Sequence, residues 1–209
     1  MTGTRWWWVR HAPVTVNNGR LYGCSDPECD VGDREAFMAL SRILPDDAVW
    51  VTSHLHRAKA TAASILEHRP ATPAIIEEPA FGEQNFGAWQ GETYEDVRRM
   101  AEPGRHRFWY CRADYRPPEG ETFLEVRQRV GTAMTKLSAE VQARDVVVVA
   151  HGGPIRAALS HTVGIDPDVA LAIRIDNLSV TMMIENAGKG AGGDWRLIWV
   201  NRPPTELRE

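Results

Sequence analysis

Short apolar runs alternate along this chain with longer segments in which apolar residues recur every three or four positions. The short runs predict buried strands, because a run without polar alternation is covered on both faces. The longer segments have the periodicity of amphipathic helices. Strands are predicted at 5–9, 49–52, 74–78, 146–150, 180–184 and 196–200, and helices at 33–44, 55–67, 122–141 and 154–163.

This alternation of strands and helices predicts an α/β protein, a three-layer αβα sandwich around a mostly parallel sheet. The clearest helix starts at Thr122, which forms a capping-box pattern with Glu125. The length of the chain suits a single domain spanning residues 1–209, and no repeat or low-complexity linker divides it. The segment from about 82 to 120 breaks the alternation and is rich in Trp, Tyr, Arg, Gly and Pro. We expect this segment to form a small helical lid insertion over the edge of the sheet where the functional site lies.

Composition limits which binding partners and which cellular location we expect for this protein. The formal net charge is −4 at pH 7, so nothing indicates nucleic acid binding, and an anionic ligand needs a local cationic pocket. No apolar run reaches the length of a membrane span, and no signal-peptide pattern opens the chain. The spacing of Cys24, Cys29 and Cys111 indicates reduced thiols, and His54 and His56 lack the carboxylate pattern of a metal site. We expect a cytoplasmic protein without metal or cofactor; the pattern identifies no oligomeric interface.

Two of the predicted strands deliver a histidine at their carboxyl ends. Arg10 and His11 end the first strand, and His151 and Gly152 follow the valine-rich fourth. Ligands of open α/β sheets bind beyond the carboxyl ends of the strands, so the two histidines share a cleft if these strands are neighbours. A neutral imidazole is a competent nucleophile toward phosphorus. The arginine supplies positive charge and the glycine-rich turn bares backbone N–H groups, so the pattern indicates a phosphate pocket.

Two further segments offer chemistry to the same cleft. Arg57 falls in the first turn of the second helix, where its guanidinium can reach the strand ends. Glu83 follows the third strand among aromatic residues and glycines, and it is the strongest candidate for a general acid. Three other carboxylates remain open as rivals for that role, namely Glu92, Glu119 and Glu121.

Taken in order, the motifs resemble those of the histidine phosphatase superfamily, also called phosphoglycerate mutase-like. The motifs are Arg10-His11-Ala12, Ser53-x-Leu55-x-Arg57-Ala58, Glu83 with Phe86-Gly87-x-Trp89-x-Gly91, and His151-Gly152-Gly153. The resemblance implies that His11 is phosphorylated during turnover and that Glu83 donates the proton. It also implies phosphate contacts from Arg10, Asn17, Gly23, Arg57, His151 and Gly152. Ala12 stands where the family more often has Gly, but Pro13 holds Ala12 in extended backbone that needs no positive φ.

The resemblance also bears on the reaction. Gly19-Arg20-Leu21-Tyr22-Gly23 and Pro118-x-Gly120-Glu121-Thr122 are similar to α-ribazole phosphatases and related broad-specificity phosphatases. We therefore expect a phosphomonoesterase that hydrolyses small phosphorylated metabolites through a phosphohistidine intermediate. Two alternatives remain, a cofactor-dependent phosphoglycerate mutase-type phosphoryl transfer and a catalytically silent module that binds phosphorylated ligands. Four aromatic residues are candidates to line a pocket for a ring-bearing ester: Trp89, Trp109, Tyr110 and Tyr115.

Overall fold

The computed structural model describes residues 3–141, 143–186, 188 and 191–206. Its strands are β1 (Thr4–Arg10), β2 (Val49–Thr52), β3 (Ile75–Glu77), β4 (Asp145–Ala150), β5 (Val180–Glu185) and β6 (Trp195–Arg202). Its α-helices are α1 (Arg34–Ile43), α2 (His56–Leu66), α3 (Tyr94–Met100), α4 (Phe123–Glu140), α5 (Gly152–Val163) and α6 (Pro167–Leu171). In the described ranges, no helix has both the length and the apolarity to span a lipid bilayer.

The predicted elements are confirmed, with small differences at their ends. The capping box of α4 is present, because the Thr122 side chain accepts from the backbone of Glu125 and the Glu125 side chain accepts from the backbone of Thr122. Helix α5 begins at Gly152, two residues before the predicted start, since the glycines after His151 already adopt helical backbone. Helix α6 has only five residues, too few for a periodicity to be seen in the sequence.

The six strands form one sheet in the order β3-β2-β4-β1-β5-β6. Neighbours are parallel from β3 through β2 and β4 to β1, whereas β5 runs antiparallel to both β1 and β6. Strands β1 and β4 lie side by side, with Arg10 paired to Ala150 in the last register position. The two histidines that follow these strands therefore leave the sheet at the same edge.

Alternate side chains of β1 enter two separate hydrophobic cores, as expected for a sheet covered on both faces. Trp6 and Trp8 pack with residues of α4 and α5 on one face. Trp7 and Val9 pack with residues of α1 and α2 on the other face. This arrangement confirms the three-layer αβα sandwich, and it covers both faces of β1.

The insertion, residues 82–120, carries α3 and two single-turn 3₁₀ helices, at Gly87–Trp89 and Glu102–Gly104. It has a small core of its own, which it shares with Leu21. Gly87 is required where the insertion folds back, because its φ is 53° and a Cβ would lie 2.0 Å from the carbonyl oxygen of Pro118. The predicted helical insertion is thus confirmed.

Candidate active site

A cavity of about 350 Å³ opens beyond the carboxyl ends of β1 and β4. Five of the residues singled out in the sequence line it: Arg10, Asn17, Gly23, Glu83 and Gly152. The other three are fully buried behind this lining: His11, Arg57 and His151. The fold therefore brings all eight residues together, from segments up to 142 positions apart in the chain.

His11 is held in one tautomer by its own backbone neighbour. Its Nδ1 lies 2.6 Å from the carbonyl oxygen of Ala12, and a carbonyl only accepts, so Nδ1 carries the proton. Nε2 is then unprotonated, and within the described residues it has no hydrogen-bond partner. The backbone is pinned as well, since the N–H of His11 donates to Ala150 at 2.9 Å and its carbonyl accepts from Asn177 Nδ2 at 2.8 Å.

His151 lies against His11, with ring centroids 5.0 Å apart. Its Nε2 is 2.7 Å from the Ser53 hydroxyl. Burial, reinforced by the positive charges of Arg57 and Arg10, lowers the pKa of His11 well below its usual value. Burial likewise lowers the pKa of His151, with smaller contributions from its neighbours His11, Arg57 and Arg10. Both rings are therefore neutral near pH 7, and the positive charge of the site comes from arginine.

Arg57 is fully buried and is fixed by the loop that follows β1. Its Nη2 donates to the Gly23 carbonyl at 2.7 Å, and its Nη1 donates to the Ser25 carbonyl at 2.7 Å and lies 3.3 Å from Asp26. Gly23 has a φ of 49°, and a Cβ there would lie 2.4 Å from Gln90 Oε1. Glycine at this position lets the loop close tightly over the guanidinium.

Arg10 lies beside the start of α5. Its Nη1 donates to the Ile175 carbonyl at 2.6 Å. A Cβ on Gly152 would lie 3.8 Å from Arg10 Nε and 2.9 Å from Nη1 of Arg156. Two guanidinium groups therefore flank the backbone of Gly152, where the N-terminus of α5 adds its own positive dipole.

Arg156 is a cavity residue that the sequence reasoning missed. It lines the cavity with only 7% of its surface exposed, and its guanidinium lies over the Trp109 ring at 4.4 Å. Its Nε donates to the Ile173 carbonyl at 2.7 Å, and burial lowers its pKa to about 10. The available signal was an arginine in the second turn of α5, five residues after His151 and within the otherwise apolar run 152–159.

Glu83 is half-buried and its carboxyl lies on the first turn of α5. Oε1 accepts from the backbone N–H of Gly153 at 3.1 Å and from that of Gln84 at 2.9 Å. A Cβ on Gly153 would lie 2.2 Å from Oε1. The glycine after Gly152 is therefore what allows the carboxyl group to approach the helix.

The three rival carboxylates are elsewhere. Glu121 is committed to an ion pair with Arg129 at 2.9 Å and accepts from the backbone of Asn85 at 2.9 Å. Glu92 and Glu119 are exposed, and none of the three lines the cavity. Glu83 is thus the only one of the four acids considered that lies at the site.

Hydrogen bonds connect the segment after β1 to the insertion and to α2. Asn17 Nδ2 donates to the Tyr94 hydroxyl at 3.3 Å, which ties the loop after β1 to the insertion. Ala12 is buried without a positive φ, and its N–H donates to Thr61 Oγ1 at 2.8 Å. Thr61 in turn donates to the Arg57 carbonyl at 2.7 Å. The sequence reasoning missed Thr61 and Asn177, because only the fold brings Thr61 to Ala12 and Asn177 to His11.

The four aromatic candidates divide into two pairs. Trp109 and Tyr110 line the cavity. Trp89 and Tyr115 do not; they stack on one another with centroids 5.7 Å apart. Because Trp89 also belongs to the core of the insertion, burial explains this second pair.

Metal ligands are not grouped in the part of the chain that the structure describes, where no three His, Cys, Asp or Glu side chains are placed to hold an ion. His54 and His56 are exposed. The arrangement instead joins an unprotonated imidazole nitrogen, three arginines and one carboxyl group around a single cavity. Such a set can bind an oxyanion and attack it while a proton is supplied to a departing group.

Comparison with known proteins gives one family. The sequence pattern of the histidine phosphatase superfamily (branch 1) matches residues 6–198. A glucosyl-3-phosphoglycerate phosphatase of Mycolicibacterium vanbaalenii is 32% identical over 170 residues, covering 77% of this chain and 74% of the relative. A 2,3-bisphosphoglycerate-dependent phosphoglycerate mutase of Cytophaga hutchinsonii is 33% identical over 165 residues, covering 77% and 78%. An adenosylcobalamin/α-ribazole phosphatase of Salmonella typhimurium is 30% identical over 156 residues, covering 71% and 74%.

The structural comparison agrees. The solved structure of the mycobacterial glucosyl-3-phosphoglycerate phosphatase complexed with VO₃ has a TM-score of 0.79 and 28% identity, covering 95% of this chain and 99% of that chain. The chain spans 50% of the length of some relatives, among them a bifunctional protein of Mycobacterium tuberculosis that is 28% identical over 185 residues, or 87% of this chain.

Proposed function

The chain belongs to the histidine phosphatase superfamily, branch 1, and on that premise we propose that it hydrolyses small phosphomonoesters through a phosphohistidine on His11. The observation that carries the proposal is the state of His11. Its Nδ1–H is bound to the Ala12 carbonyl, while burial and two arginines keep the ring neutral. In this state Nε2 carries a free lone pair at neutral pH, as attack on phosphorus requires.

In the first step, the lone pair of His11 Nε2 attacks phosphorus in line with the ester oxygen. The P–N bond forms as the P–O bond breaks, and Glu83, initially protonated, donates its proton to the departing alkoxide. Arg10 and Arg57 neutralise charge on the non-bridging oxygens, with N–H groups at the start of α5. Losing one such preorganised donor typically costs about 3–4 kcal/mol of transition-state stabilisation.

In the second step, Glu83 is a carboxylate and takes a proton from water. The water oxygen attacks phosphorus, the P–N bond breaks, and its electron pair returns to Nε2. Inorganic phosphate leaves, while His11 is neutral and Glu83 is protonated as at the start. His151 stays neutral throughout, because burial lowers its pKa. Its role is to offer a hydrogen bond to the phosphoryl group.

The test is phosphate release from a panel of esters without added metal. The panel contains α-ribazole phosphate, glucosyl-3-phosphoglycerate, 3-phosphoglycerate, sugar phosphates and an aryl phosphate. His11→Ala should abolish turnover and acid-labile labelling by ³²P-ester, whereas His56→Ala, which alters an exposed histidine, should retain both. Turnover by His11→Ala close to that of the wild type would refute the assignment of His11.

Glu83→Gln tests the proton donor by leaving group. The variant should slow alkyl phosphates far more than aryl phosphates, because an aryl oxide departs with little proton assistance. Equal losses on both classes would remove Glu83 from the acid role. Glu121→Gln, which alters a carboxylate committed to Arg129, is the matched control and should show no dependence on the leaving group.

A mutase is the second candidate, and the identity to the Cytophaga hutchinsonii mutase supports it, since it is as high as that to the phosphatases. A mutase returns the phosphoryl group from His11 to a second hydroxyl. It predicts rapid exchange between bisphosphorylated and monophosphorylated glycerate with little free phosphate. A silent binding module predicts neither exchange nor release. We also propose a cytoplasmic location, which the three free cysteines support.

A further inference from the structure

The turn between α6 and β5 contacts three groups of the active site. We call residues 173–179 the anchoring turn. Two of its backbone carbonyls accept from the guanidinium groups of Arg10 and Arg156, at 2.6 and 2.7 Å. Its Asn177 side chain donates from Nδ2 to the His11 carbonyl at 2.8 Å. One short segment therefore holds two cations of the cavity and the backbone of the proposed nucleophile.

The anchoring turn is itself fixed on both sides of Asn177. On one side, Asn201 of β6 donates from Nδ2 to the Asp176 carboxylate at 2.9 Å and accepts from the Asp176 backbone N–H. On the other side, Leu178 is buried with a φ of 60°, a conformation that leucine adopts only where its surroundings impose it. The N–H of Leu178 donates to the Arg10 carbonyl at 3.0 Å. Asn177 therefore lies between two anchored neighbours.

The peptide bond between His11 and Ala12 is held on both of its edges. Asn177 donates to its carbonyl, and Thr61 Oγ1 accepts from its N–H at 2.8 Å. The Ala12 carbonyl belongs to the next peptide bond, which has no N–H because Pro13 follows. That peptide bond has no donor of its own to orient it. The direction of the Ala12 carbonyl therefore depends on the peptide planes on either side, of which the clamped one is the first.

This direction decides which nitrogen of His11 carries the proton. A neutral imidazole has two tautomers, and only the one protonated at Nδ1 leaves a lone pair on Nε2. The Ala12 carbonyl selects that tautomer by accepting from Nδ1–H at 2.6 Å. Without a donor at the His11 carbonyl, the clamped plane is free to rotate and to turn the Ala12 carbonyl away from Nδ1. The tautomer protonated at Nε2 then becomes populated, and it cannot attack phosphorus.

We propose that Asn177 is a positioning residue that keeps His11 protonated at Nδ1, acting through the peptide bond between His11 and Ala12. The inference rests on the proposed phosphomonoesterase function, but the tautomer of His11 is a property of the protein without substrate. Asn177 lines the cavity, yet this role needs no contact with the substrate. It needs the side-chain donor of Asn177, since the turn binds the two arginines through its backbone.

The first experiment measures the tautomer of His11 by long-range ¹H–¹⁵N NMR of the imidazole rings without substrate, at neutral pH. His11→Ala identifies the signals of His11 by their loss. Asn177→Leu has a similar shape but no donor, and it should show a fraction of His11 protonated at Nε2, whereas the wild type should show Nδ1–H. Ser179→Ala is the matched control, because it removes a hydrogen bond of the same turn, from Ser179 Oγ to the Asp176 carbonyl at 2.7 Å. It should keep the tautomer of the wild type.

The second experiment measures kcat and KM on an alkyl and an aryl phosphate. Asn177→Leu should lower kcat about ten- to a hundredfold on both esters, because Nε2 attacks phosphorus in both. KM should change by less than about twofold, because the arginines that bind the phosphoryl group keep their backbone contacts. Ser179→Ala should keep both constants. The equal loss on the two esters distinguishes this effect from a defect in proton donation by Glu83.

Three results would overturn the role of Asn177. They are His11 protonated at Nδ1 in Asn177→Leu as in the wild type, the same tautomer change in Ser179→Ala, and a changed tautomer with the kcat of the wild type. If Asn177→Leu does not fold, Asn177→Ala also lacks the donor and is subject to the same three outcomes. Absence of turnover by the wild type would refute the proposed function instead, because the NMR measurement does not depend on turnover.

Discussion

Replacing Gly153 with Ala tests whether the Glu83 carboxyl acts from its place on α5. The new Cβ would lie 2.2 Å from Glu83 Oε1, whereas ordinary contact begins near 3.4 Å, so the carboxyl must retreat by more than 1 Å. It would then lose the hydrogen bond that it accepts from the Gly153 N–H, which is 3.1 Å long in the wild type. A misplacement of about 1 Å costs on the order of 10²-fold in rate.

Stability should change little in the same variant. Alanine in place of glycine in a helix contributes roughly 0.5–1 kcal/mol, which offsets about 1 kcal/mol for the lost hydrogen bond. The expected result is therefore a Tm close to that of the wild type with a kcat about a hundredfold lower on an alkyl phosphate. An aryl phosphate should lose much less, because its leaving group needs little protonation.

A double-mutant cycle with Glu83→Ala isolates the cause. Once the carboxyl is gone, Gly153→Ala has nothing left to displace, so the double variant should match Glu83→Ala alone. Losses that add in the double variant would refute the reasoning, since they would show that Gly153 acts through another group. Wild-type kcat in the single variant would do the same.

Three other perturbations follow from the contacts around His11. Because burial holds the pKa of His151 below its usual value near 6.5, the unfolded chain binds more protons below that pH, so the free energy of unfolding falls as pH drops from about 7 toward 5. His151→Gln should reduce this pH dependence by up to about 1.4 kcal/mol per pH unit, whereas His56→Gln, which alters an exposed histidine, should not. The free energy of unfolding is measured by urea unfolding at each pH, and the same pH dependence in His151→Gln and wild type would contradict the prediction. Thr61→Val leaves the N–H of Ala12 unpaired, so it should lower the free energy of unfolding by about 1–3 kcal/mol and also lower kcat. Thr61→Ser retains the hydroxyl and should keep the stability and the kcat of the wild type. Equal Tm and kcat in the two variants would show that the hydroxyl is unimportant. Chelator should leave phosphate release unchanged, because arginine supplies the positive charge; loss of activity that divalent metal restores would contradict the mechanism.

The elements that the sequence predicted well are those encoded locally. The valine run of β4 and the tryptophan run of β1 indicate buried strands by themselves, and the capping box marks the start of α4. Placement of His11 and His151 at strand ends follows from the same runs. Their shared cleft depended on β1 and β4 being neighbours, which the register between the two strands confirms.

Other parts of the site could not be predicted, because they depend on contacts between distant segments. Arg156 resembles any helical arginine until Trp109 from the insertion is placed against it. Asn177 and Thr61 reach His11 and Ala12 from other elements, and no local pattern marks them. Glu83 was already the preferred acid from the sequence, and the fold removed Glu121 as its rival, since an ion pair with Arg129 occupies Glu121.

The sequence by itself therefore determined the layered fold and the family, and it predicted the residues that are proposed to carry phosphoryl chemistry, since periodicity and short motifs are properties of neighbouring positions. Tertiary structure decided the charge and proton states of those residues. Burial makes both histidines neutral, and a single carbonyl selects the tautomer of His11. Desolvation and hydrogen-bond geometry depend on what surrounds a side chain, and in this protein those surroundings come from segments far apart in the chain.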